Sequence, residues 1–145
     1  MKKKQGKQTY PGKKIAELLG IMKNLRSEKG CPWDKEQTHD SLKKYLIEES
    51  AEFLDAVDDN DDEGMREELG DVLLHIVFHA QIASERGAFD FADVANGICE
   101  KLRRRHPHVF GGGRASCSSE VLKIWEDVKK TEKKKKIEQK NILNI

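Results

Sequence analysis

The chain has 145 residues, of which 37% are charged and 6% aromatic, and it contains three prolines. This balance favours charged-surface helices over a β-sandwich or β-barrel, and the length fits one domain with a core of its own. The net charge is +1, which argues against a general electrostatic affinity for nucleic acids or membranes.

No apolar run approaches the roughly 20 residues that span a bilayer. The N-terminal lysines are followed by polar residues rather than by the apolar segment of a signal peptide. Cys31, Cys99 and Cys117 are odd in number and lack paired spacing, which is typical of reduced thiols. We therefore expect a cytoplasmic protein with no membrane partner.

The hydrophobic pattern predicts an all-α protein, because apolar residues recur at helical spacing and no segment alternates with the period of a strand. We expect a basic flexible arm at residues 1–12, a helical domain at 13–130 and a Lys-rich, solvated tail at 131–145. The Lys133–136 run has no interleaved aromatic residues, so nucleic-acid binding is not expected.

About five helices are predicted, with turn chemistry between them. The first helix is expected at residues 13–28 and the third at residues 62–85. The second is expected to run from a cap at Thr38, Asp40 or Ser41 to Asp58. The fourth is expected from Asp90 or Asp93 to His106, and the fifth from Ser118 or Ser119 onward. Residues 30–38 are expected to form a loop. The residues expected on the core side of the third helix are Met65, Leu69, Val72, Leu73, Ile76, Val77 and Ala80.

Two acidic clusters interrupt the apolar pattern of the second and third helices. Glu49 lies inside the apolar sector of its helix, with Glu48 and Glu52 along one edge of that sector. Glu68 and Asp71 lie on one flank of the third helix. Because residues three apart share a helix face, Glu49 pairs with Glu52, and Glu68 pairs with Asp71.

Four carboxylates would converge if these two helices packed antiparallel across their short acidic turn. Unpaired charges are costly to bury, and a divalent cation would offset that cost. Oxygen ligands favour Mg²⁺, with Mn²⁺ as the alternative ion, and such ions commonly act on phosphate-bearing substrates. A merely solvated acidic face is the alternative, but it does not explain a carboxylate at Glu49.

A rival metal site is present on the same flank of the third helix. Asp71, His75 and His79 are spaced i, i+4 and i+8, and with Glu68 they form a set of transition-metal ligand types. Histidines on a mostly apolar helix are more often core residues, and that interpretation is the favoured one here.

A compact basic group, Lys101 to Arg105, lies on the fourth helix. Lys101 and Arg105 share a face, which suits binding of a polyphosphate. Basic residues that complement the C-terminal helix dipole are the alternative explanation. Trp33 and Trp125 are either core residues or stacking surfaces for a base, and the core interpretation is favoured for both.

Taken together, these motifs resemble the MazG-type nucleoside triphosphate pyrophosphohydrolases, and the resemblance covers about residues 15–130. The segments that carry it are Leu19-Gly20-Ile21-Met22, Gly30-Cys31-Pro32-Trp33-Asp34-Lys35-Glu36-Gln37-Thr38, Glu48-Glu49 with Glu52, Glu68 with Asp71, Phe89-Asp90-Phe91, Arg104-Arg105-His106-Pro107-His108-Val109-Phe110, and Ser118-Ser119-Glu120-Val121-Leu122 with Trp125.

The resemblance implies an all-α MazG-like bundle that assembles as a homodimer or higher homo-oligomer. It also implies Mg²⁺-dependent hydrolysis of (d)NTPs to the monophosphate and pyrophosphate. By motif position, the expected metal ligands are Glu49, Glu52, Glu68 and Asp71. Glu48 and Glu49 are the expected catalytic residues, with Glu48 as a further ligand or as the group that orients the attacking water.

The same resemblance points to Lys101, Arg105 and Trp125 as nucleotide-binding residues. Many family members carry two such domains in tandem, whereas this chain has one, which is most similar to the first. The sequence therefore leaves open a catalytically weak dimeric module that binds nucleotides or a partner protein. It also leaves open the base and sugar preference and the phosphorus that water attacks.

Overall fold

The computed structural model describes residues 10–143, with side chains to residue 140. This part of the chain is all α, as predicted, and no helix in it is long and apolar enough to cross a membrane. Residues 1–9 of the expected arm and residues 144–145 of the tail lie outside it. The helices are α1 (Pro11–Leu25), α2 (Pro32–Glu36), α3 (Lys43–Asp58), α4 (Asp62–Glu85), α5 (Phe91–Arg105), α6 (Pro107–Phe110) and α7 (Ser118–Leu143).

The chain forms two compact units, the N-terminal unit at residues 1–91 and the C-terminal unit at residues 92–145. In the N-terminal unit, α4 packs against both α1 and α3. Its core consists of fully buried apolar side chains from α1, from the residue before α3 and from α4, because these are the positions where the apolar stripes meet. The core residues are Met22, Leu42, Val77 and Phe78.

A tight turn folds α4 back onto α3. Asn60 adopts a left-handed conformation (φ 54°), which asparagine tolerates better than most residues. The Asp61 amide donates to the Ala56 carbonyl (3.0 Å), and the Asn60 amide donates to the Val57 carbonyl (3.1 Å). These two bonds form a Schellman motif, so the acidic turn predicted between the two helices is the element that brings them together.

Helix α1 ends earlier than predicted, at Leu25 rather than near residue 28. Glycine is required at position 30, since a Cβ there would lie 2.1 Å from the Leu25 carbonyl oxygen. That close approach lets the Cys31 amide donate to the same carbonyl (2.8 Å). The predicted 30–38 loop also contains the short helix α2, which begins at Pro32, a residue suited to a first helical position.

The predicted side-chain caps of the second helix are wrong, because α3 begins at Lys43 after an uncapped Leu42. Thr38 and Ser41 instead bond to each other: the Thr38 amide donates to Ser41 Oγ (2.9 Å), and the Ser41 amide donates to Thr38 Oγ1 (3.1 Å). Burial of Leu42, which is 0% exposed, outweighs the missing cap at this helix start.

Two residues predicted to face the core are exposed in the single chain. Leu69 is 52% exposed and Ile76 is 42% exposed, although both lie on the long, largely apolar α4. Ile47 and Leu54 of α3 are exposed as well. Helix α4 is apolar on more than one side, and its main packing within the unit is against α1 and α3.

The C-terminal unit contains α6, α7 and nearly all of α5. Helix α5 ends at Arg105, one residue before the predicted end at His106, because Pro107 cannot continue it, and the single-turn α6 follows. Ion pairs link α5 to α7 through Glu132, which accepts from Arg104 Nε (2.7 Å) and Arg105 Nη2 (2.9 Å). Helix α7 continues through the Lys-rich run to Leu143.

Candidate active site

The α3–α4 hairpin brings three of the predicted acids together. One carboxylate oxygen from each of Glu49, Glu68 and Asp71 lies within 4.8 Å of the others, and all three residues are half-buried. Glu49 comes from α3, whereas Glu68 and Asp71 come from α4. The i, i+3 spacing on α4 and the fold-back at Asn60 together place these charges side by side.

The electrostatics around Glu49 are unfavourable to its charged form. Burial raises the pKa of Glu49, and the carboxylates of Asp71, Glu52, Glu68 and Glu48 raise it further, in that order. Glu48 is exposed at the edge of the cluster. The half-buried position of Glu49 agrees with the sequence argument that a solvated face does not account for it.

Glu68 is the most constrained carboxylate of the cluster. Its Oε2 atom is buried and has no hydrogen-bond partner. Burial raises the pKa of Glu68, and the neighbouring carboxyls of Glu52, Asp71 and Glu67 add to the rise. The carboxyl of Glu52 lies close enough to favour the protonated form of Glu68, which places Glu52 beside this cluster.

A hard divalent cation fits this group of side chains. The cluster offers only carboxylate oxygens, the ligand type that Mg²⁺ and Mn²⁺ prefer. Its like charges repel at short range, and the buried Oε2 of Glu68 has an unused acceptor site. A cation would satisfy that oxygen and remove the repulsion, so the residues present are consistent with a metal centre.

The rival histidine site, which the sequence disfavoured, is not assembled in the same way. Among the residues that the structure describes, the potential metal ligands that come together are the carboxylates of the acid cluster, and this group contains neither His75 nor His79. His79 Nδ1 lies 2.8 Å from His39 Nδ1, and their rings are stacked. His75 is only 7% exposed and stacks on Tyr45 at 6.4 Å, as expected of a core histidine. Burial lowers the pKa of both His75 and His79.

The predicted nucleotide-binding residues Lys101, Arg105 and Trp125 all belong to the C-terminal unit. Lys101 is exposed, whereas Arg105 is already paired with Glu132. Hydrogen bonds from Arg105 and Arg104 lower the pKa of Glu132 to about 2. This acidic partner lies 27 residues from Arg105 in the chain, too far for sequence spacing to reveal it.

Trp125 is partly buried and packs edge-on against His106, with ring centroids 5.0 Å apart. Its indole Nε1 is buried without a hydrogen-bond partner, as is Nε of Arg105. Both residues therefore retain a donor that a ligand could use. Their joint action with the acids of the N-terminal unit stays a prediction.

One arginine that the sequence argument did not single out organises the loop before α3. Arg26 is 8% exposed at its side chain and forms a bidentate pair with Glu85, with both N···O distances 2.7 Å. It also donates to the backbone carbonyls of Asp34 and Gln37 and lies over the Phe78 ring. An arginine just past a helix end carries no motif by which sequence could have revealed these contacts.

Comparison with known families matches residues 37–110 to the MazG nucleotide pyrophosphohydrolase domain. This segment covers half of the chain and includes every acid of the cluster. The chain belongs to the MazG family. A solved MazG-related protein from Thermotoga maritima shares the fold with a TM-score of 0.66 and 31% identity, over 79% of this chain and 98% of the solved one.

Curated relatives show similarity over most of this MazG-family chain. It is 58% identical over 120 residues to the nucleoside triphosphate pyrophosphohydrolase/pyrophosphatase MazG of Thermotoga maritima, covering 83% of this chain and 46% of that protein. It is 48% identical to the nucleoside triphosphate pyrophosphohydrolase of Escherichia coli K12, covering 90% of this chain and 50% of that one. The chain thus spans about half the length of these relatives.

Proposed function

We propose that this MazG-family protein hydrolyses (d)NTPs to the nucleoside monophosphate and pyrophosphate as a housekeeping enzyme of the nucleotide pool. The observation that carries the proposal is the convergence of Glu49, Glu68 and Asp71 within 4.8 Å, in a domain whose relatives are named for this reaction. In the overall reaction, water supplies an oxygen to one phosphorus, the α–β anhydride bond breaks, and pyrophosphate leaves.

Glu49, Glu52, Glu68 and Asp71 are the residues that would hold Mg²⁺, or Mn²⁺ in its place. Such an ion, when bound, offsets the charge of the phosphates and lowers the pKa of a coordinated water. Glu48 is exposed beside the cluster, where its carboxylate can orient the attacking water and accept its proton.

Lys101, Arg105 and Trp125 are the residues proposed to hold the nucleotide. Arg105 offers its unpartnered Nε to a phosphate oxygen while Nη2 stays on Glu132. Trp125 likewise has a free indole N–H. The exposed apolar residues of α3 and α4 support a homodimer or larger assembly.

The proposal is tested with purified protein, Mg²⁺ and a panel of ribo- and deoxyribonucleoside triphosphates, with identification of both products. We expect pyrophosphate and nucleoside monophosphate in equal amounts, together with loss of turnover after chelation. Nucleotide binding without turnover at any Mg²⁺ or Mn²⁺ concentration would contradict it and favour a binding module instead.

A further inference from the structure

Trp33 is a half-exposed aromatic residue in the N-terminal unit. It lies in the short helix α2, and 49% of its surface is accessible. A tryptophan has the largest apolar side chain, and exposure of half of it costs favourable burial that the fold would otherwise gain. An aromatic ring left in solvent is able to stack on a planar ligand.

The backbone around Trp33 is held in place on both sides. Gln37 Nε2 donates to the Trp33 carbonyl oxygen (2.9 Å). Arg26 donates to the carbonyls of Asp34 and Gln37, and its guanidinium is itself fixed by Glu85. The backbone that carries the indole therefore loses little further conformational freedom when a ligand contacts the ring, which favours binding.

Two aromatic rings contact Trp33 in edge-on geometry, and neither stacks parallel to the indole. Tyr45 contacts it at 5.9 Å with an interplanar angle of 69°, and Phe78 contacts it at 6.5 Å with an angle of 83°. Within the part of the chain that the structure describes, no ring lies parallel to the indole. A planar ligand can therefore stack where the protein's own rings do not.

This aromatic surface lies next to the acid cluster. Tyr45 precedes Glu49 by four residues, so the two share a face of α3 and are separated by about 6 Å along its axis. Tyr45 also stacks on His75, which follows Asp71 by one turn of α4. Trp33 thus contacts Tyr45, and both Tyr45 and His75 lie one helical turn from a carboxylate of the cluster. A nucleotide can span this separation.

We propose that Trp33 is the stacking surface for the nucleobase of the triphosphate substrate. This inference rests on the proposed function, in which the acid cluster binds the phosphate end. Stacking uses the π-face that every base has, so this contact would contribute affinity with little preference among bases.

The experiment measures binding rather than turnover. Isothermal calorimetry with Mg²⁺ gives dissociation constants for a non-hydrolysable α,β-methylene nucleoside triphosphate and for inorganic tripolyphosphate, which has no base. The proteins compared are wild type, Trp33→Leu, Trp33→Phe and the control Tyr10→Leu, which removes another exposed aromatic of the same unit.

Trp33→Leu keeps an apolar side chain but removes the π-face. We expect it to weaken binding of the analogue by about 5- to 150-fold and to leave tripolyphosphate binding unchanged. Trp33→Phe should restore most of the affinity, and Tyr10→Leu should match wild type for both ligands.

Equal weakening of both ligands by Trp33→Leu would overturn the inference, because it would indicate a structural contribution of the ring. So would unchanged binding of the analogue. A wild-type protein that binds tripolyphosphate and the analogue, but releases no pyrophosphate from hydrolysable NTPs, would instead refute the proposed function and leave the stacking surface supported.

Discussion

Glu68 combines a buried, unpartnered Oε2 with neighbouring carboxyls that raise its pKa. In the metal-free protein this arrangement opposes folding at neutral pH, because like charges are held together where water cannot fully screen them. A carboxylate that lowers the stability of the metal-free protein is better explained by a role in ligand binding than by a role in folding.

We therefore predict that Glu68→Gln raises the melting temperature of the metal-free protein at pH 7. The amide removes one of the repelling charges and keeps the shape of the side chain. The same variant should lose the rise of roughly 5–10 °C that Mg²⁺ at a hundredfold excess over its Kd gives the wild type. Differential scanning calorimetry with and without Mg²⁺ measures both effects.

Asp55→Asn is the matched control, since it neutralises an exposed acid on α3 outside the cluster. It should keep the wild-type response to Mg²⁺. A Glu68→Gln protein that is destabilised without metal, or that still gains stability from Mg²⁺ as the wild type does, would contradict this account of the residue.

Sequence spacing anticipated that Glu49, Glu68 and Asp71 meet, because i, i+3 pairs share a helix face and an acidic turn joins the two helices. Glu52, the fourth acid predicted to converge, is exposed and lies outside the 4.8 Å group. The spacing did not anticipate that Glu68 is as constrained as Glu49. The apolar sector of α3 marks Glu49 from sequence alone, whereas the burial of Glu68 depends on how α3 packs across α4. That packing is a tertiary property with no local signal.

At the scale of elements, Arg26 connects the end of α1 and the segment 34–37 to α4. Arg26→Lys keeps the charge but cannot reproduce a bidentate pair with Glu85 and two carbonyl contacts at once. We expect a loss of about 2–4 kcal/mol in the free energy of unfolding, measured by urea titration of the N-terminal unit's transition.

Lys35→Arg provides the control, as a basic exchange in the same segment at an exposed side chain. It should change stability by less than about 0.5 kcal/mol. A loss for Arg26→Lys no greater than that of the control would show that the Arg26 contacts do not stabilise the loop.

Helices α5 and α7 are joined by the pairs of Arg104 and Arg105 with Glu132, whose pKa is lowered to about 2. A carboxyl with a lowered folded pKa contributes stability above its ordinary value of 4.5, and this contribution is lost as the pH falls toward about 2. We predict that amide protection of α7 falls over that interval in wild type.

In Glu132→Gln the same protection should be weaker at pH 6 and should change little between pH 5 and pH 3. Hydrogen exchange followed by mass spectrometry compares the two proteins. Identical pH profiles would show that these ion pairs do not hold the helices together.

The long helices were predictable because their apolar periodicity runs over many residues, and α4 begins and ends at the predicted residues 62 and 85. The single-turn helices α2 and α6 were not. Each starts at a proline, which sequence reasoning treats as a break, and each is too short to show a hydrophobic period. The end of α1 depends on the Gly30 contact, which spacing does not reveal.

At the scale of the molecule, the single chain leaves apolar side chains of α3 and α4 in solvent. Ile47 is 71% exposed, Leu54 60% and Leu69 52%. Since α3 and α4 also carry the acids, a second copy covering these residues would lie beside the proposed site. This is the physical basis for the proposed homo-oligomer.

We predict that the double variant Ile47→Lys, Leu54→Lys remains helical but elutes as a smaller species than wild type. Lysines at a buried apolar contact would be desolvated without partners, which opposes assembly. Size-exclusion chromatography with light scattering gives the mass, and Asp55→Lys is the control on the same helix. A wild-type monomer, or a double variant of unchanged mass, would contradict the prediction.

The most direct test of the central claim compares turnover of wild type, Glu49→Gln and Asp55→Asn with an NTP and saturating Mg²⁺, with products resolved by ³¹P NMR. We predict nucleoside monophosphate and pyrophosphate from wild type and Asp55→Asn, and a rate lower by about 100-fold or more in Glu49→Gln. Wild-type turnover in Glu49→Gln, or release of nucleoside diphosphate and orthophosphate by the wild type, would contradict the account.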